Sequence, residues 1–103
     1  MNYQVIYSPS VLANIREHVR YLVEDQHVSP ATVERWYRPL FDRVEGLYEM
    51  PRLYGLDHGA TKRLGFEVHK LTYKKYVIHY TVDDDRRAVD LIAFLHGSRR
   101  REA

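Results

Sequence analysis

His69, His79 and His96 lie in the second half of the sequence among Arg63, Lys70, Lys75 and Arg99, a combination able to move a proton beside a phosphate. An imidazole titrates near neutrality and can serve as base or acid, while guanidinium and ammonium groups hold charge that develops on a reacting oxygen. The pattern is densest at the C-terminus, where an apolar run delivers His96-Gly97-Ser98-Arg99-Arg100-Arg101. Plainer uses compete with the chemical one. Histidines alternating along a strand, as His69 and His79 do, commonly pack. His96 shares a face with Ile92 and Phe94 by period two and can serve as a hydrogen-bonding residue at a strand exit. Arg99, Arg100 and Arg101 can equally be a solvated terminal cluster. None of the six histidines stands at paired ligand spacing, and there is neither a cysteine nor a Gly-rich phosphate loop, so no metal and no cofactor is expected.

The elements that must position these groups are legible from periodicity. Tyr3 to Tyr7 is β-branched and aromatic and stops at Ser8-Pro9, a helix start in which serine caps and proline takes the first helical position. Val11, Leu12, Ile15, Val19, Leu22 and Val23 then form one apolar stripe, which predicts an amphipathic helix over 9–25. The start signal repeats at Ser29-Pro30, and Val33, Trp36, Tyr37, Leu40, Phe41, Val44, Leu47 and Tyr48 form a second stripe closed by Met50-Pro51. Pro39 interrupts that stripe. An interior proline removes a hydrogen bond and costs about 3 kcal/mol, so a kink near residues 35–39, or a restart there, is expected.

Residues 52–65 carry Gly55, Gly59 and Gly65 without periodicity and read as a loop with room for a turn of helix. Strands follow at 66–72, 76–82 and 89–95, the last apolar on both faces, with Tyr73-Lys74-Lys75 and Asp83 to Arg87 as the turns. The order strand, helix, helix, strand, strand, strand predicts an α+β fold. It should hold a small, mostly antiparallel sheet with an N-terminal strand, a helical hairpin packed on one face, and three C-terminal strands. The opposite face is then expected to present the cations and imidazoles for binding.

A length of 103 residues fits one domain spanning 1–103. Residues 1–60 hold six Lys/Arg against eight Asp/Glu and residues 61–103 hold ten against six, so a net charge of +2 hides a basic second half. A field of that size can steer an anionic partner but cannot alone give tight nucleic-acid binding. No apolar run is long enough to span a bilayer and the N-terminus lacks a signal pattern, so the expected setting is cytoplasmic, without membrane contact.

Val5-Ile6-Tyr7-Ser8-Pro9, Ser29-Pro30-Ala31, Leu47-Tyr48-Glu49-Met50-Pro51, Tyr76 to Asp83 and Leu91 to Arg100, taken in order, resemble the RelE/ParE superfamily of type II toxin–antitoxin toxins. The likeness is nearer to the ParE branch, the plasmid stabilisation proteins. Ribonuclease members of the superfamily commonly carry a tyrosine shortly after the final strand, whereas nothing aromatic follows Phe94 here. They also often carry an arginine before the third strand, where this chain has His69-Lys70, and Pro39 has no counterpart in the pattern.

The ParE likeness implies a bacterial toxin that binds DNA gyrase, stalls it on cleaved DNA, and is neutralised by a cognate antitoxin that folds over the helical hairpin. The target-binding side chains it points to are Tyr73, Lys74, Lys75, Arg99, Arg100 and Arg101, with Trp36 and Tyr37 as further aromatic anchors. For Trp36 the alternative is a place in the core. The RelE alternative implies a ribosome-dependent mRNA endonuclease, in which a ribose 2′-OH attacks the adjacent phosphate and His96, Arg99, Arg63 and Lys70 are the catalytic candidates. A non-toxic binding module is a third reading.

Overall fold

The computed structural model describes residues 2–96. The chain forms β1 (Gln4–Tyr7), α1 (Pro9–Arg20), a π-helical turn (Tyr21–Asp25), α2 (Pro30–Glu45), a 3₁₀ turn (Gly46–Tyr48), α3 (His58–Leu64), β2 (His69–Tyr73), β3 (Tyr76–Asp83) and β4 (Ala88–His96). The sheet order is β1-β4-β3-β2. β1 pairs parallel with β4, and the other two pairs are antiparallel. The expected α+β architecture, with a mostly antiparallel sheet under a helical hairpin, is the one observed.

Both helix starts follow from their Ser-Pro pairs. Ser8 Oγ accepts the Val11 N–H at 3.1 Å and Ser29 Oγ accepts the Thr32 N–H at 3.2 Å, while each proline sits where no intrahelical donor is needed. The expected helix over 9–25 is present in two parts, because the final turn widens into π geometry with the Gln26 N–H donating to the Tyr21 carbonyl at 3.1 Å. α2 runs unbroken through Pro39, so the helix does not restart there. Pro39 and Arg35 are both exposed, which leaves the Arg35 carbonyl, deprived of its helical donor, open to water.

The core lies between the hairpin and one face of the sheet. Val11, Val33, Tyr37, Leu40, Val44 and Leu47 pack on Leu71, Tyr73, Ile78, Tyr80, Val89, Leu91 and Phe94. Leu91 and Phe94 share that face although they are three apart. Tyr80 pairs with Leu91 and His79 with Ala93, so Ile92 is the extra residue of a bulge that resets the alternation of β4. Two members of the α1 stripe, Leu12 and Val23, are left exposed.

The opposite face is less open than expected. Val77 and His79 are buried there, and the His79 imidazole bonds Asp57 Oδ2 at 2.9 Å. Asp57 holds this position because it is also the N-cap of α3, its Oδ1 accepting the Ala60 N–H at 3.0 Å, while its backbone N–H donates to Val68. Gly65, at φ 84, closes the same helix in a left-handed conformation natural to glycine. The stretch 52–65, expected as a loop with room for a turn of helix, therefore contains a capped helix of seven residues.

Asp57→Ala removes a cap and leaves a buried imidazole without its partner, and is expected to lower unfolding free energy by about 2–4 kcal/mol. Urea denaturation measures this. A loss below about 0.5 kcal/mol, within the range of ordinary surface substitutions, would show the pair to be dispensable.

Candidate functional site

The register separates the proposed proton-transfer groups. His69 pairs with Tyr80 and shares the helix-facing side with Leu71 and Tyr73; it is buried, stacked on the Tyr80 ring at 5.1 Å, and its Nδ1 lies 2.8 Å from the Tyr54 carbonyl. Tyr80 itself is held in the core, and burial pushes its pKa up to about 12. His79 faces the other way and is held by Asp57. His96 pairs with Tyr76 at the far end of the sheet, on the helix side, its ring 5.1 Å from the Tyr76 ring. The expected clustering of imidazoles on the outer face is thus corrected: antiparallel pairing puts two of the three toward the helices.

The cations are also dispersed. Lys70, opposite His79 in the register, belongs to the outer face, and Arg63 is exposed on α3. Arg99, Arg100 and Arg101 lie outside the described residues. His96 and Lys70 thus lie on opposite faces of the sheet, and Arg63 is carried by α3.

The binding candidates divide similarly. Lys74 and Lys75 form the exposed two-residue tip of the β2–β3 hairpin, with Lys74 in the left-handed region at φ 55. The Lys74 ammonium lies 5.5 Å from the centre of the Trp36 ring and 5.4 Å from that of Tyr73, and the Arg43 guanidinium lies 5.4 Å from Tyr73. Tyr73 supplies the floor of this patch and no free surface. It is 4% exposed and its hydroxyl donates to the Trp36 carbonyl at 2.5 Å. Tyr37 is likewise buried, and Trp36 is half-buried, edge-on to Tyr37, Tyr73 and Tyr76.

Where α1, α2, β3 and β4 meet, His18, which no sequence pattern marked, gathers Tyr37, Tyr76 and His96. Its Nδ1 is 2.5 Å from the Tyr37 hydroxyl and its Nε2 is 2.9 Å from the Tyr76 hydroxyl. A neutral imidazole donates at one nitrogen and accepts at the other, so one hydroxyl accepts from it and the other donates to it. Burial, reinforced by Tyr76, holds the Tyr37 hydroxyl protonated well above the ordinary tyrosine range. Burial first, and the nearby His96 second, lower the pKa of His18. The ring opens on one side to a cleft of about 590 Å³, lined also by Asn14, Glu17, Arg20, Tyr21, Asp25, Tyr76, Phe94 and His96. Tyr76 stacks on Phe94 with centroids 5.3 Å apart, and Asn14 donates to the Phe94 carbonyl at 3.4 Å.

A four-stranded sheet with a parallel N-terminal edge, a helical hairpin on one side and a cationic hairpin tip defines a small α+β protein. The family described as ParE toxin of type II toxin–antitoxin system, parDE, matches residues 5–101, and the chain belongs to that family. No curated protein is significantly similar to the chain.

Because the folded pKa of His18 lies below the unfolded value of 6.5, the unfolded chain binds the extra proton first as pH falls. Its contribution to stability is complete above that value and is lost progressively on acidification below it. The groups around the ring are Tyr37, Tyr76, His96 and Tyr21, with Glu17, Arg20 and Asp25 along the cleft. Urea midpoints measured from pH 7.5 to 5 should fall more steeply for the wild type than for His18→Gln. Parallel slopes would remove His18 as the titrating group.

Proposed function

We propose that the protein is the toxin of a parDE-type pair that acts by binding DNA gyrase in the bacterial cytoplasm and is neutralised by a cognate antitoxin. The observation that carries this reading is the match of the ParE toxin family over residues 5–101. The placement of His96 and Lys70 on opposite faces of the sheet supports inhibition by contact over RNA cleavage, because transesterification needs base, acid and phosphate cations around one reacting phosphate.

The contact surface centres on the hairpin tip. Lys74 and Lys75 project there from a two-residue turn, and the Lys74 ammonium rests over the Trp36 and Tyr73 rings, which leaves that cation less freedom to lose on binding. Arg99, Arg100 and Arg101 extend the basic character in sequence. Leu12, Tyr21 and Val23, exposed on the first helix and its final turn, offer the apolar contacts that an amphipathic antitoxin segment would cover. The described residues include no helix long and apolar enough to cross a membrane, consistent with a cytoplasmic target.

Purified protein is expected to block gyrase supercoiling, and Lys74→Glu/Lys75→Glu to weaken that block at least about tenfold, the cost of reversing charges at an interface, with an unchanged thermal midpoint. Full inhibition by the doubly reversed variant would move the contact elsewhere. Transcript cleavage during translation, lost in His96→Ala, would replace the gyrase reading with the ribonuclease one.

A further inference from the structure

The two ends of β3 differ in how their charges are used. At one end the turn to β4 carries Asp83, Asp84 and Asp85, and much of that charge is met within the fold: Arg86 pairs with Asp83 and Asp90, and Arg52 pairs with Asp84 at 2.8 Å. At the other end stands the β2–β3 tip, and residues 68–82 hold Lys70, Lys74 and Lys75 without one carboxylate. Lys74, Lys75 and Arg43 form no ion pair among the described residues. Their charge is therefore left to act on a partner.

Two of these cations are held in place. The Arg43 guanidinium donates to the Thr72 carbonyl at 3.3 Å and lies 5.4 Å from the centre of the Tyr73 ring. The Lys74 ammonium lies 5.4 Å from the same ring, and its backbone takes a left-handed conformation, φ 55, that a lysine seldom adopts. Both charges share one aromatic support, with Lys75 beside them on the turn.

That support decides which polyanion fits. Unpaired nucleotides are bound by stacking their bases on open aromatic faces. None is offered by the rings here. Tyr73 is buried beneath the two cations, and Trp36 is half-buried, edge-on to Tyr37, Tyr73 and Tyr76 and overlain by Lys74. A double helix keeps its bases stacked on one another and asks only for cations along its phosphates. An acidic peptide would need an apolar anchor as well, and these rings are already covered.

We infer that the β2–β3 tip, through Lys74, Lys75 and Arg43, binds the phosphate backbone of double-stranded DNA without reading its sequence. Within the gyrase reading, on which this rests, the tip's direct partner is the duplex that the enzyme holds.

The probe is a short, blunt, fluorescently labelled DNA duplex, titrated with the full chain. Three phosphate contacts predict saturable binding that weakens about 40-fold when salt is raised from about 50 to about 200 mM. In Lys74→Gln/Lys75→Gln one contact remains, and the same change in salt should weaken binding only about 3.5-fold. Arg16→Gln/Lys62→Gln removes as much charge from exposed positions on α1 and α3 and should keep the wild-type salt dependence. A single strand of the same length should bind more weakly than the duplex. All four substituted positions are exposed, and the thermal midpoint checks that each variant is folded.

Absence of saturable binding overturns the site, as does a salt dependence unmoved by the tip substitutions or lowered equally by the control pair. Tighter binding of the single strand overturns the choice of duplex. Supercoiling assays with the same variants keep the two readings apart. Inhibition lost in the tip variant while duplex binding is unchanged overturns the DNA contact and returns the tip to the enzyme's own surface. Duplex binding as expected without any inhibition by the wild type overturns gyrase as the target and leaves the DNA site standing.

Discussion

The imidazole of His18 is the point on which the two halves of the molecule are joined. α1 contributes the ring, α2 contributes Tyr37, and β3 contributes Tyr76, with each hydroxyl bonded to a different nitrogen. A buried tyrosine hydroxyl left unpaired costs about 1–3 kcal/mol, so Tyr37 favours docking of the helix at this depth and rotation. The surrounding rings follow from that docking. Trp36 lies 5.1 Å from His18 and 5.4 Å from Tyr76, and Phe94 stacks against Tyr76. Apolar burial would tolerate a range of helix rotations, but two directional bonds to one ring narrow that range.

A second polar device fixes the other end of the sheet. Asp57 starts α3, holds Val68 just before β2 through its backbone N–H, and reaches His79 on the outer face. The seven-residue helix has too few turns to be stable alone, and its cap is shared with the sheet. The two faces therefore differ in kind. One is a broad aromatic and aliphatic core under α1 and α2; the other is partly roofed around a single carboxylate–imidazole pair.

Period and punctuation carried most of the fold. The two Ser-Pro starts, the two apolar stripes and the four strand-like runs each appear at or within a few residues of the place where the chain forms them. What stayed hidden has identifiable causes. The α3 helix is too short to show a periodic stripe, and its signal was the pair of punctuation residues Asp57 and Gly65, an N-cap and a left-handed closing residue seven helical residues apart. The bulge at Ile92 cannot be read from an apolar run that satisfies either face. Pro39 is tolerated because it falls on the solvent side, a fact that depends on helix rotation. His18 stood out only as one of six histidines, since its partners come from positions 37 and 76 and no local pattern links them. The π turn that carries Tyr21 and Asp25 into the cleft leaves no mark in helical spacing.

The parallel pairing of the first and last strands has a consequence for how the protein comes into being. β1 has β4 as its neighbour in the sheet, through Gln4 with Ala88 up to Tyr7 with Leu91. A growing polypeptide has no place to lodge its opening strand until the closing one has left the ribosome. Chains cut short before residue 88 therefore lack the completed sheet.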